Sequence, residues 1–336
     1  MPTACGFYLN LAAMIRHLVR RFKWAYSLYN IFHRNELKHN VPKYRELGLN
    51  KFYFSPVSSK DFKHIDASLR KDRKPDLNKI KATSFYQQAD EQSKSSLGKF
   101  EENGYAIVNG FLKETQVDAI NREIEELLEQ GLIHKGAGGK IMFAIHQSYL
   151  LRKIGVEQSL LELLSLLMDG KATLFQSINF IHGSEQFSHS DSIHMTTYPL
   201  GGLLGVWIAL EDIHPDNGPL HYYPGSHKLP YYLNEDYGNE GNLLLLGKKD
   251  YDEYEAFIQQ RIESLGLKKE VLCIPKGTMM IWHANLFHGG EPHLDKSKTR
   301  KSVVFHYFDE NSICYHEITQ RPALIRATIK QPHAQG

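Results

Sequence analysis

The chain has 336 residues, 42% of them hydrophobic and 23% charged, which allows one large folded domain with an extension and excludes collagen-like or wholly disordered classes. Its three cysteines, Cys5, Cys273 and Cys314, share no CxxC spacing, so neither a disulfide scaffold nor a zinc-thiolate site is expected, and a cytoplasmic setting fits best. The net charge of +2 conceals a split: residues 1–80 hold 16 Lys/Arg against 6 Asp/Glu, and the remainder holds 24 against 32.

The N-terminal run MPTACGFYLNLAAMI is apolar, but its basic residues follow it, and it is shorter than the ~18 residues of a membrane span, so neither an export signal nor a transmembrane helix is expected. From Tyr8 to Phe32 the apolar Leu11, Ile15, Leu18, Phe22, Ala25 and Tyr29 recur at spacings of three and four between Arg16, Arg20 and Lys23, the pattern of a basic amphipathic helix. Packing of that helix on the main domain is the favoured expectation, and contact with a membrane surface the less favoured one. Residues 38–96 are polar and short of periodic hydrophobics, so 1–96 reads as a basic helical extension followed by a solvated connector.

A β-like run, GYAIVNGFL, opens the main domain, expected over 97–315. A helix follows in KETQVDAINREIEELLEQG, with Ile120, Ile124, Leu127 and Leu128 on one face, and a second spans 157–168. Beyond Gly170 come short β-rich runs broken by Gly, Pro and Asn: TLFQSINFIH, GLLGVWIAL, PLHYYPG, EVLCIP, TMMIWH and KSVVFHYF. Such spacing predicts a mainly β domain with flanking helices, an antiparallel sandwich or barrel. A helical insert at 229–266 contains DYDEYEAFIQQRIESLG, and 316–336 forms a C-terminal tail.

The stretch FSHSDSIHM places His189 and Asp191 two residues apart, which on an extended strand turns both to one side. One imidazole and one carboxylate make two thirds of the facial triad that holds Fe(II) in non-haem oxygenases. By itself the pair is weak, since 18 histidines generate chance spacings. The best third ligand is His288 in TMMIWHANLFHGGEP, where the following glycines leave backbone room for a ligand; His283 reads as a hydrogen-bonded barrel residue, and His194 as a competitor for the metal. If TMMIWHANLFHGG and RKSVVFHYF are neighbouring antiparallel strands, Arg300 lies beside the histidine with Ser302 on the same face. A buried guanidinium there needs a carboxylate, which a dicarboxylate cosubstrate would supply.

FSHSD, WIALEDIHPDNGPLHYYPGSHK, LFHGGEP and the Arg300 segment, in that order over roughly residues 100–310, resemble the phytanoyl-CoA dioxygenase family. The resemblance implies a double-stranded β-helix, a cupin-like jelly-roll barrel, binding Fe(II) and the cosubstrate 2-oxoglutarate and using O2. Carried over, His189, Asp191 and His288 would be the metal ligands and Arg300 the partner of the distal carboxylate of 2-oxoglutarate. Gln176 matches a polar position that touches the cosubstrate in some relatives, with Asn179 as the competing choice. Trp207 matches an aromatic near the cosubstrate but reads equally as a core tryptophan.

Retention of Asp191 implies a hydroxylase rather than a halogenase, acting on a C–H bond of a small-molecule or lipid/acyl-type substrate with release of succinate and CO2. The competing readings are a non-catalytic metal- or sugar-binding jelly roll, which gives Arg300 no reason to accompany the triad, and a nucleic-acid-directed oxygenase. The basic segment lacks a nucleic-acid-binding motif, so no nucleic acid partner is expected.

Overall fold

In the computed structural model, which describes residues 21–65 and 74–325, the β-branched and aromatic runs build a six-stranded antiparallel sheet, four of its strands from the second half of the chain. Its strands are β1 (Tyr105–Val108), β2 (Ile141–Met142), β3 (Ala172–Phe180), β5 (Leu203–Ala209), β8 (Met279–His283) and β10 (Ser302–Asp309), in the order β1-β8-β5-β10-β3-β2. Two small antiparallel sheets accompany it. One joins β4 (Thr196–Tyr198), β11 (Ile313–His316) and β12 (Arg321–Pro322), and the other β6 (Leu220–Tyr222), β7 (Glu270–Leu272) and β9 (His288–Gly290).

The alternation of strand side chains splits the core into two layers. Leu204, Val206, Ile208, Met279, Ile281, Val303 and Phe305 face the helices. Among these are α3 (Glu114–Glu129), burying Val117, Ile120, Ile124 and Leu127, α4 (Tyr149–Gly155), burying Leu151, and α5 (Gln158–Met168), burying Leu160, Leu163, Leu164 and Leu167. On the other face Trp207, Met280, Trp282 and Val304 meet Leu220, Tyr222 and Leu272 of the β7-β6-β9 sheet. The insert contains the expected helix, α6 (Tyr251–Ser264).

Helix outweighs strand among the described residues, so the fold is a mixed helix-and-sheet one with antiparallel sheets, not the mainly β fold expected. The excess comes largely from the supposed connector. Short helices span Asn40–Glu46, Leu77–Ala82 and Ser84–Gln88, and α2 spans Glu91–Gly98. Asp76, Thr83 and Asp90 cap the last three by accepting from the amides of Lys79, Tyr86 and Ser93. Tyr44, Val57, Phe62 and Ile65 form a core with Tyr198, Ile313 and Tyr315 of the β12-β11-β4 sheet. Of the helix expected over residues 8–32, residues 8–20 lie outside the described residues; the described part is α1 (Lys23–Ile31). No helix among the described residues is long and apolar enough to cross a membrane.

The pairing expected between the His288 and Arg300 runs is not formed. TMMIWHANLFHGG divides into β8, in the large sheet, and β9, in a small one, because the ANLF segment crosses between the two sheets. β10 instead pairs with β3 and β5. Its register aligns Gln176, His306, Gly205 and Trp282 in one row across the inner face. Gly205 is required in that row: a Cβ there would lie 2.4 Å from Trp282 Cε2. Overpacking of this kind costs ~1–3 kcal/mol, so Gly205→Ala is expected to lower the Tm by several degrees, with an unchanged melting curve contradicting the packing described.

Candidate active site

The two segments carrying the candidate ligands meet in a two-residue antiparallel bridge. The His189 amide donates to the His288 carbonyl at 2.9 Å and the His288 amide returns to the His189 carbonyl at 3.0 Å. Asp191 is not on a strand with His189; it opens a one-turn 3-10 helix, Asp191–Ile193, whose turn brings the carboxylate back beside the two imidazoles. Ligand atoms of His189, Asp191 and His288 all lie within 4.8 Å of one another, and all three residues are buried.

The tautomers suit a metal. His189 Nδ1–H donates to the Phe187 carbonyl at 2.8 Å and His288 Nδ1–H to that of Leu286 at 3.0 Å, so each ring keeps its Nε2 lone pair for the space beside Asp191. Burial holds His189 well below the usual histidine range, hence neutral. Burial opposes ionisation of Asp191, but with no metal bound His288 and His306, each with Nε2 at 3.7 Å from a carboxylate oxygen, outweigh it when protonated and keep the carboxyl below the usual range. The Trp282 indole donates to Asp191 Oδ2 at 2.8 Å and so fixes the carboxylate plane.

These residues line a cavity of about 480 Å³ between the sheets that also contains Arg300, Gln176 and Trp207. Arg300 is buried, and no carboxylate lies within ion-pair distance of it among the described residues. Its Nε donates to the Gly218 carbonyl at 3.2 Å and its Nη1 to Ser302 Oγ at 2.5 Å. The guanidinium lies 5.3 and 5.6 Å from the ring centroids of Phe180 and Trp207, and burial lowers its pKa to about 10. Its remaining donors are left for a ligand, and the chemistry they suit is a carboxylate.

Gln176 lies 3.4 Å from His306 Nδ1, whereas Asn179, the competing choice, is absent from the cavity lining and is buried on a neighbouring strand position. Ser302 reaches the site through Arg300. His283 ends β8 outside the cavity, its Nδ1 accepting from the Asn285 amide at 3.1 Å. His194 lines the cavity but is 3.3 Å from His316, and burial lowers its pKa to about 3. The glycines after His288 serve close packing more than ligand room: a Cβ on Gly289 would lie 2.7 Å from the Gln186 carbonyl and from His221, and one on Gly290 2.7 Å from Ser184 Oγ.

Trp282 and His306 were not singled out from the sequence, although His306 follows Ser302 at an even spacing on the same strand. Lys140, Gln186 and Tyr251 were missed because three separate elements supply them. Lys140 Nζ donates to Gln186 Oε1 at 3.0 Å, and Gln186 Nε2 donates to the Tyr251 hydroxyl at 2.8 Å. Gln186 Nε2 also lies 3.4 Å from His189 Nε2.

A buried two-histidine, one-carboxylate cluster on one wall of a cavity between antiparallel sheets defines the class as that of facial-triad metalloproteins. Residues 162–302 match the family model described as Phytanoyl-CoA dioxygenase (PhyH). It is 25% identical to the Bos taurus phytanoyl-CoA dioxygenase domain-containing protein 1 over 277 residues, 65% of this chain and 90% of the relative. The Rattus norvegicus protein of the same name is 49% identical over 130 residues, but that match spans only 40% of the rat chain. Among solved structures, the α-ketoglutarate-dependent carbocyclase SnoK from nogalamycin biosynthesis aligns with a TM-score of 0.57 at 16% identity, covering 73% of this chain and 96% of its own. EctD from S. alaskensis with bound Fe aligns with a TM-score of 0.53 at 17% identity, covering 78% and 92%.

Replacing Trp282 with phenylalanine keeps an aromatic ring but removes the donor to Asp191 Oδ2. Loss of an outer partner of a metal ligand costs ~10–100-fold in affinity, so Trp282→Phe should weaken divalent metal binding by that factor in equilibrium dialysis. Undiminished affinity would deny Trp282 this positioning role.

Proposed function

We propose that the protein is an Fe(II)- and 2-oxoglutarate-dependent dioxygenase that uses O2 to hydroxylate a C–H bond of a small-molecule or lipid/acyl-type substrate. On this reading, residues 97–315 form a double-stranded β-helix with 229–266 inserted, 1–96 an extension, and 316–336 a tail. The observation that carries it is the presence in one cavity of the buried triad and a buried guanidinium with no carboxylate partner among the described residues. Solved relatives support it: one EctD structure holds 2-oxoglutarate and 5-hydroxyectoine, and the epimerase SnoN was crystallised with Fe3+ and α-ketoglutarate. Since SnoN is an epimerase and SnoK a carbocyclase, hydroxylation is the proposed outcome here, with Asp191 retained where a halogenase would need room for halide.

His189, Asp191 and His288 would hold one face of the iron, with Trp282 and His306 keeping the carboxylate in place. Bound iron would supply, with 2-oxoglutarate and O2, the oxidising power for the C–H bond, one oxygen atom going to the product hydroxyl and the other to succinate as CO2 is lost. Arg300, oriented by Ser302 and the Gly218 carbonyl, would bind the distal carboxylate and so fix which end of the cosubstrate faces the triad. Phe175, Ile178, Met195 and Val304 line the cavity with apolar surface that limits water around the reacting carbon.

With purified protein, Fe(II), O2 and 2-oxoglutarate, succinate release should be abolished in His189→Ala, Asp191→Ala and His288→Ala, each of which removes one ligand of three. Turnover retained in His288→Ala and lost in His283→Ala would show that the distal ligand is wrongly assigned.

Arg300→Ala should leave iron binding in place and raise the 2-oxoglutarate concentration needed for half-maximal turnover on the order of a hundredfold, because the cosubstrate carboxylate loses a buried charged partner. Equal requirements in variant and parent would remove Arg300 from the site.

A further inference from the structure

Helix α1 packs by one side only. Tyr26 and Tyr29 flank the Arg321 guanidinium at 5.2 and 5.3 Å, and Asn30 is buried. Trp24, Leu28 and Ile31, spaced i, i+4, i+7, are all exposed along another side, Trp24 by 56%, and Phe32 follows at 80%. At the start of the helix the Lys23 amide donates to the Leu244 carbonyl at 3.0 Å, which sets Leu244 and the 95% exposed Leu243 beside it. At its end the Tyr53 hydroxyl donates to the Ile31 carbonyl at 3.1 Å, bringing up the exposed Phe52. Single exposed apolar residues are ordinary, whereas a run along a helix and both of its ends marks a surface that meets something.

Charge indicates what it meets. Residues 21–65 contain nine lysines and arginines against three carboxylates. Lys51, Lys60 and Lys63 form ion pairs, but Arg34, Lys38 and Arg45 are exposed with no carboxylate within ion-pair distance among the described residues. A second copy would bring the same net positive charge of this segment, whereas anionic headgroups neutralise it. The surface also adjoins the cavity. Arg321, beneath Tyr26 and Tyr29, lines it together with Pro322, Ala323 and Leu324.

We propose that α1, the Leu243–Leu244 turn and Phe52 form a seat for an anionic lipid bilayer, placing the rim of the cavity at the membrane surface. The contact is interfacial: the apolar stripe enters the headgroup boundary and the basic residues stay at the phosphates. If the cavity is an oxygenase site, an amphiphilic substrate would reach it from the lipid. That corollary rests on the proposed function; the docking does not, and its test measures no turnover.

The chain has three tryptophans, and Trp207 and Trp282 are only 2 and 3% exposed, so acrylamide quenching reports on Trp24. Full-length protein should co-sediment with vesicles of phosphatidylcholine and phosphatidylserine more than with phosphatidylcholine alone, and added salt should weaken the binding. Trp24 emission should shift to the blue and lose its quenching on binding. The double variant Leu28→Asp, Leu243→Asp, altered only at exposed positions, should lose on the order of tenfold or more in vesicle partitioning with an unchanged circular dichroism spectrum. The proposal is overturned by failure of the full chain to bind these vesicles, or by equal binding of the variant. It is also overturned if Trp24 is already shielded in the lipid-free protein, whether by residues 1–20 in the monomer or by concentration-dependent self-association.

Discussion

The site depends on one backbone contact, the two-bond bridge between His189 and His288. Neither residue lies within a long strand, yet each closes the other's amide and carbonyl, which sets the distance between imidazoles before any metal is considered. The i−2 carbonyls then choose the tautomers, and the turn after Ser190 returns Asp191 to the same space. Geometry of this kind fixes ligands through backbone hydrogen bonds, so the side chains meet a metal with little reorganisation.

Around that bridge the large sheet supplies positioning and charge. Gly205 on β5 leaves room for Trp282 on β8, Trp282 holds Asp191, and His306 approaches the same carboxylate from β10, on the far side of β5. Further along the same face Arg300 is buried between Phe180 and Trp207. An isolated buried charge is costly unless something compensates it, and the hydrogen bonds to Ser302 and Gly218 answer only part of the guanidinium. A carboxylate ligand would complete the balance, which ties cosubstrate binding to the stability of the same interior.

Much of this was legible in the sequence, because short periodic runs and ordered motifs survive without three-dimensional context. The strand segments, α3, α5 and α6 follow their hydrophobic spacing, and His189, Asp191, His288 and Arg300 do line one cavity. What was misread depended on non-local pairing or on caps. The His288 and Arg300 runs look like neighbours along the chain, but the ANLF crossover sends them to different sheets. The polar 38–96 segment reads as a solvated connector wrapping the surface, and its short helices are not legible because they are stabilised by side-chain caps and by a few contacts to distant strands rather than by a long apolar face. Trp282 and His306 acquire their roles only from the cross-strand register.

The central claim is that Arg300 and the triad together select a ligand that carries a carboxylate at the far end from the metal. Calorimetric titration of the Fe(II)-loaded protein without oxygen, first with 2-oxoglutarate and then with pyruvate, tests it most directly, since pyruvate keeps the chelating end and lacks the distal carboxylate. The account predicts that 2-oxoglutarate binds on the order of a hundredfold more tightly. Equal affinities for the two acids would contradict it.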